Sequence, residues 1–186
     1  MSKTYSAIVA ATASLAVGAT LAFAQAPDDR VGFPADYATT FTNYVSVDRQ
    51  NGTQVMRIFA NDIAMQGPGP DGRLADGAII VGEIYPALVD GEDNVVITDL
   101  GRFIRGDLAA IAVMEKQAGW GDVFTDELRN DDWDFAIFSS TGERRDADLD
   151  ACRACHAPLG DKDHVFSFRH LPGAAFPAEA ENPMGP

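Results

Sequence analysis

The chain has 186 residues with 28 acidic against 14 basic side chains, and a formal charge of −14 at neutral pH argues against nucleic acid and anionic membrane surfaces as partners. A basic redox protein or a small neutral molecule suits such a surface better. A hydrophobic fraction of 46% is enough for one domain with a real core, and the only two cysteines, Cys152 and Cys155, leave none for a separate disulfide framework.

Residues 1–24 read as a secretory signal peptide. Lys3 precedes an uncharged run from Ser6 to Phe23, and Ala22-Phe23-Ala24 fits the small-x-small cleavage rule, with Gln25 as the new N-terminus. The run is near the lower length limit for a bilayer span and consists mostly of Ala, Gly, Ser and Thr, which favours cleavage over a retained anchor. A periplasmic or otherwise exported protein follows, with no stable membrane insertion after cleavage. Residues 25–171 form the expected single domain. Residues 172–186, rich in Pro, Ala and Glu and without apolar period, read as a loose tail.

Within the domain, Pro27 to Gly32 reads as a short linker. Pro34 to Thr42 suits a helix, with Pro34 tolerated in its first turn. Tyr44–Val47 and Val55–Phe59 read as strands joined by an Asn51-Gly52 turn. Asn61 is placed to cap a short helix through Met65, and residues 67–72 must be loop. Ala78–Tyr85 and Leu108–Met114 are strands, the second buried on both faces. Gly119-Trp120-Gly121 breaks the chain before a last strand, Trp133–Phe138. Asp146 and Asp148 mark a helix start. The expected class is α+β, mainly β: an antiparallel sheet with a few flanking helices and a last helix near the C-terminus.

That helix carries Cys152-Arg153-Ala154-Cys155-His156, a C-x-x-C-H sequence. This is the attachment signature of c-type haem: two thiols add to the haem vinyl groups and the histidine supplies an axial nitrogen to iron. Helical spacing puts Cys152, Cys155 and His156 on one face. The expected cofactor is one covalent haem c with its iron held by His156. Two other readings stay open: a redox C-x-x-C pair, or half of a zinc site completed by His164 and His170.

Small electron-transfer cytochromes are mostly helical, with the haem motif near the start and a Met ligand downstream. Here the motif comes late in a strand-rich chain. In this context several segments, from about Phe33 to Phe168, resemble the cytochrome P-460 family, which includes the beta-sheet cytochromes c-prime. They are Gly32-Phe33-Pro34-Ala35-Asp36-Tyr37, Val47-Asp48-Arg49 through Gly52, Arg57 to Asp62, Ala75 to Val81, Gly119-Trp120-Gly121, the haem motif, and Asp163-His164-Val165-Phe166. The resemblance implies a sheet-dominated fold, a five-coordinate c-type haem, and chemistry on small nitrogen compounds: hydroxylamine oxidation in some members, nitric oxide binding in others. Oxidising members carry a lysine cross-linked to the haem ring, at about the position of Gly82 or Glu83 here. The only lysines after Lys3 are Lys116 and Lys162. The resemblance therefore favours the branch without a cross-link.

Other residues are candidates for the distal side. Arg57 is placed to hydrogen-bond an iron-bound ligand, or else faces water. Glu83 is placed to relay protons, or else pairs with an arginine. Phe59, Phe103, Phe135 and Phe138 wall an apolar pocket or belong to the ordinary core. His164, Lys116, Met56, Met65, Met114 and Met184 are the conceivable sixth ligands, and none is favoured. The expected function is binding of nitric oxide or a similar small nitrogen ligand at an open iron position. The alternatives are an oxidoreductase acting on hydroxylamine or nitric oxide, and a low-spin periplasmic electron carrier.

Overall fold

The computed structural model describes residues 29–49 and 53–174, so the signal segment and most of the tail lie outside the described residues. Five strands form one antiparallel meander: β1 (Thr42–Arg49), β2 (Gln54–Ala60), β3 (Ile79–Pro86), β4 (Ala110–Lys116) and β5 (Trp133–Ser139), each pairing with its neighbour in sequence. Two α-helices flank it, α1 (Tyr37–Thr40) and α2 (Leu149–His156), and α2 runs into a 3-10 segment, Ala157–Lys162. The mainly-β expectation and the late helix carrying the cysteines both hold.

β1 and β2 pair from Thr42 opposite Ala60 to Arg49 opposite Gln54, with a bulge between Asn43 and Val45 that shifts the register by one residue. Asn61 does what its capping chemistry predicts. Its Oδ1 accepts from Ala64 N–H (3.0 Å) and Ile79 N–H (3.1 Å), tying a 3-10 turn to the start of β3. The helix expected over Pro34 to Thr42 shrinks to four residues, because Phe41 is already extended and Thr42 and Asn43 pair with Ala60 and Phe59. Sheet pairing overrides a weak local helix preference. Of the stretch Pro27 to Gly32 read as a linker, residues 29–32 are described, and they are packed against the domain. Arg30 bonds the buried carboxylate of Asp134 (2.6 Å), and Val31 is 1% exposed. At the other end Pro172 packs directly on Gly67 and Ala174 on the core, so the ordered body runs past Leu171.

Both faces of the sheet are covered. One side packs Ile58, Ile80, Met114 and Phe135 against the C-terminal segment around Val165, Phe168 and Leu171. The other packs Phe59, Val81, Ile111, Val113 and Phe138 against Val31 and Tyr37 from the N-terminal segment. Strands buried on both sides carry little alternation, which explains the nearly continuous apolar runs of β3 and β4.

Residues 87–105 form an arm with no regular element. Leu88 N–H donates to Ile104 O (2.6 Å), Ile104 N–H to Val96 O (3.1 Å), and Val96 N–H to Leu88 O (2.8 Å). These three residues, each eight apart, close a ring of backbone bonds. Asp48 on β1 anchors the arm, accepting from Arg102 Nε (2.7 Å), Arg102 Nη2 (3.0 Å) and Phe103 N–H (3.1 Å). The bidentate Arg102 bond is the main cause that holds the Asp48 carboxyl below the usual range; desolvation opposes it and the Phe103 amide adds to it. A depressed carboxyl contributes above its ordinary pKa and is lost as pH falls through the lowered value. Amide-exchange protection at Val96 and Ile104 should therefore be constant above about pH 5 and fall in acid below about pH 4. Asp48→Asn should lower that protection several-fold at pH 7. Unchanged protection in the variant would remove Asp48 as the anchor.

Candidate functional site

Between the sheet and α2 lies a cavity of about 710 Å³, lined by Cys152, Cys155 and His156 on one side. The opposite wall is one face of the sheet: Met56 and Ile58 from β2, Ile80, Gly82 and Ile84 from β3, Ala112 and Met114 from β4, Phe135 and Ile137 from β5. These are alternate residues, as a pleated strand requires. The wall carries no carboxylate, hydroxyl or imidazole.

Local chemistry positions α2. Asp148 caps it, its carboxylate accepting from Asp150 N–H (3.1 Å) and Ala151 N–H (3.3 Å). Arg153, inside the motif, is 4% exposed and bonds Asp134 through Nε (3.0 Å) and Nη2 (2.9 Å). It also lies over the Phe124 ring. This pins the helix to β5. Both thiols are free, Cys155 exposed and Cys152 half-buried, with burial as the main cause raising the Cys152 pKa.

His156 Nδ1 lies 2.7 Å from the carbonyl oxygen of His164. A carbonyl only accepts, so Nδ1 carries the proton and Nε2 keeps its lone pair. Among the described residues His156 Nε2 has no hydrogen-bond partner. Burial is the first cause that lowers the ring's pKa; the His164 carbonyl bond opposes it, and the charges of His164 and Arg49 add to it. The ring is thus a neutral donor at pH 7. Phe135 and Phe166 hold it at centroid distances of 4.7 and 4.8 Å.

The loop after α2 that supplies this carbonyl is itself constrained. Asp163 and His164 both adopt left-handed backbone (φ 47° and 60°), which is unfavourable for non-glycine residues. Asp163 is fully buried and accepts from Lys116 Nζ (2.8 and 3.0 Å) and from Leu74 N–H (2.8 Å). Lys116 is thereby committed to a structural ion pair and does not line the cavity. His164 is buried beside the loop, its Nδ1 on the His156 carbonyl oxygen (3.2 Å), and does not reach across the cavity.

The remaining candidates divide by strand parity. Arg57 and Glu83 pair across β2 and β3 on the sheet face turned away from the cavity. Glu83 accepts from Arg57 (3.1 Å), Tyr37 OH (2.9 Å) and Tyr85 OH (2.7 Å). The structure brings these two residues to each other and not to the cysteines. Phe59 and Phe138 pack on that same far side and Phe103 sits in the arm, leaving Phe135 as the candidate phenylalanine on the cavity. Met56 and Met114 line it, Met65 packs in the core, and Met184 lies outside the described residues. Gly82 faces the cavity, and a Cβ there would meet the Met56 methyl at 2.7 Å. Among the described residues no group of three or more His, Cys, Asp or Glu side chains converges as a metal site, so the zinc reading finds no geometry. No helix among them is long and apolar enough to cross a membrane.

An antiparallel sheet with a late C-x-x-C-H helix over an apolar cavity defines a class of haem-binding cytochromes rather than a redox dithiol protein. The family described as cytochrome P-460 matches residues 34–167, and the chain belongs to it. It is a family of c-type haem proteins with a known role in hydroxylamine oxidation. No curated protein matches the chain.

The buried pair beneath the His156 loop makes a stability prediction. Asp163→Ala leaves Lys116 buried without its carboxylate and should cost about 3–5 kcal/mol in chemical denaturation. Lys116→Met combined with Asp163→Asn should recover most of that loss, because Asn tolerates the left-handed backbone and still accepts from Leu74 N–H. Equal losses in the single and double variants would mean that packing, not the unpaired charge, dominates.

Proposed function

We propose that the chain is an exported monohaem c-type cytochrome that binds nitric oxide or a similar small nitrogen ligand. Cys152 and Cys155 would hold the haem as thioethers and His156 Nε2 would be its one axial protein ligand. The residues fit the group: two free thiols and an unpartnered imidazole nitrogen line one large apolar cavity. Bound haem supplies an iron that takes a small ligand reversibly.

The observation that carries the choice of activity is the apolar sheet wall opposite α2. Oxidation of hydroxylamine needs a proton acceptor beside the reacting nitrogen. The carboxylate nearest in sequence, Glu83, points to the far side of β3, where two tyrosines and an arginine hold it. Gly82, at about the place of the family's cross-linking lysine, presents no side chain to the cavity. What the chain offers is an apolar sheet wall and a fixed, neutral His156. That suits binding more than turnover. Met56 and Met114 are the two thioethers on the wall, and either as a sixth ligand would instead make an electron carrier.

Protein matured in a haem-attaching periplasm should retain one haem in denaturing mass spectrometry and through acid-acetone extraction. Cys152→Ala or Cys155→Ala should weaken or abolish that attachment. Haem lost on extraction from the unaltered chain would overturn covalent binding.

Absorption spectra decide the activity. The expected holoprotein is high-spin and five-coordinate in both oxidation states, with an ordinary c-type ferrous Soret band and rapid nitric oxide binding. Met56→Ala and Met114→Ala should leave the spin state unchanged. A low-spin spectrum that either variant converts to high-spin identifies an electron carrier, and a red-shifted ferrous Soret band identifies a cross-linked oxidising enzyme.

A further inference from the structure

We propose that Arg49, Lys162 and Arg169 form a cationic clamp for the two propionate carboxylates of the haem; this rests on the haem reading above. Every formally charged residue lining the cavity is a cation, Arg49, Lys162 or Arg169, in a chain with twice as many acids as bases. Among the described residues none of these three meets a carboxylate: Arg49 donates to Gln54 Oε1 (3.2 Å), Arg169 to His170 Nε2 (3.2 Å), and Lys162 forms no ion pair. In so acidic a protein, three such cations around one apolar cavity specify an anionic occupant.

The arrangement selects the kind of anion. Arg49 ends β1, while Lys162 and Arg169 belong to the 3-10 turns that follow α2, so the cations come from both sides of the cavity. All three line the cavity and are exposed, whereas Ile80, Met114 and Phe135, which also line it, are buried. A ligand with a broad apolar body and acidic groups along one edge satisfies both regions at once. Arginine forks match carboxylates bidentately, and lysine adds a point charge. Cations beside the propionates favour the reduced iron, which carries one positive charge fewer, and keep the propionates ionised to lower pH.

The test uses the holoprotein with Arg49→Gln, Lys162→Gln and Arg169→Gln, singly and together, and Arg129→Gln as a control. Arg129 is exposed, lies off the cavity, and removes the same unit of charge. Reduction potential is measured by spectroelectrochemistry from pH 5 to 9, alongside covalent haem content. Each single variant should load haem and titrate at a lower potential than the control. The triple variant should be lowest, with the propionate-linked inflection moved to higher pH, and Arg49→Lys should restore most of the Arg49→Gln loss. If the triple variant does not load, the single variants carry the comparison. Haem-loaded variants with the potential and pH profile of Arg129→Gln would overturn the clamp alone and point to an acidic docking partner as the occupant. Absence of covalent haem in the unaltered protein would overturn the haem reading and the clamp with it.

Discussion

One buried carboxylate holds the site together. Asp134 on β5 is 1% exposed and accepts from Arg153 of the motif helix and from Arg30 near the start of the domain. The helix it anchors has only eight residues, Leu149–His156, too few to be stable alone in water. Its apolar contribution is small, with Leu149 its main buried hydrophobe. The ion pair and the Asp148 cap therefore decide where His156 stands. Desolvating three charges is costly, and the arrangement persists because each is matched with short bonds; deleting one partner would strand the others.

From that anchor the protein divides its labour by sheet face. Odd and even residues of β2 and β3 look in opposite directions, so adjacent positions have unrelated tasks. Gly82 opens onto the cavity while Glu83 is locked by Tyr37, Tyr85 and Arg57 behind it. On β2 and β3 the charged side chains Arg57 and Glu83 are confined to the back of the sheet, and the residues turned to the cavity are apolar. The loop carrying Asp163 and His164 adds the remaining constraint: its left-handed backbone delivers a carbonyl to His156 Nδ1, and the Lys116 pair holds the strained turn in place.

What was legible in the sequence was local. Strand composition, the Asn61 and Asp148 caps and the C-x-x-C-H spacing each act within a few residues, and the corresponding elements form where these signals stand; the expected Asn51-Gly52 turn lies outside the described residues. The sidedness of Arg57, Glu83, Phe59 and Phe138 was not legible, because strands covered on both faces lose the alternation that would report it. Parity with Met56 and Ile58 would have separated them, had the cavity face been known. The arm from 87 to 105 escaped because its pairing is limited to isolated bridges, although Leu88, Val96 and Ile104 recur at a fixed interval that a search for repeats could find. Arg49, Lys162 and Arg169 meet at one cavity only through the tertiary fold.

Arg153 carries a consequence for how such motifs are regarded. The two residues between the cysteines are commonly written as x, as though any side chain served. Here one of them is a core residue with an address on another strand, and its neighbour Ala154 is exposed. The pentapeptide is therefore not a portable cassette. Exchanged for the equivalent five residues of another cytochrome, it would keep every atom needed to bond a haem and still lose the lock that fits this scaffold. Part of what positions the motif resides in the host fold rather than in the signature itself.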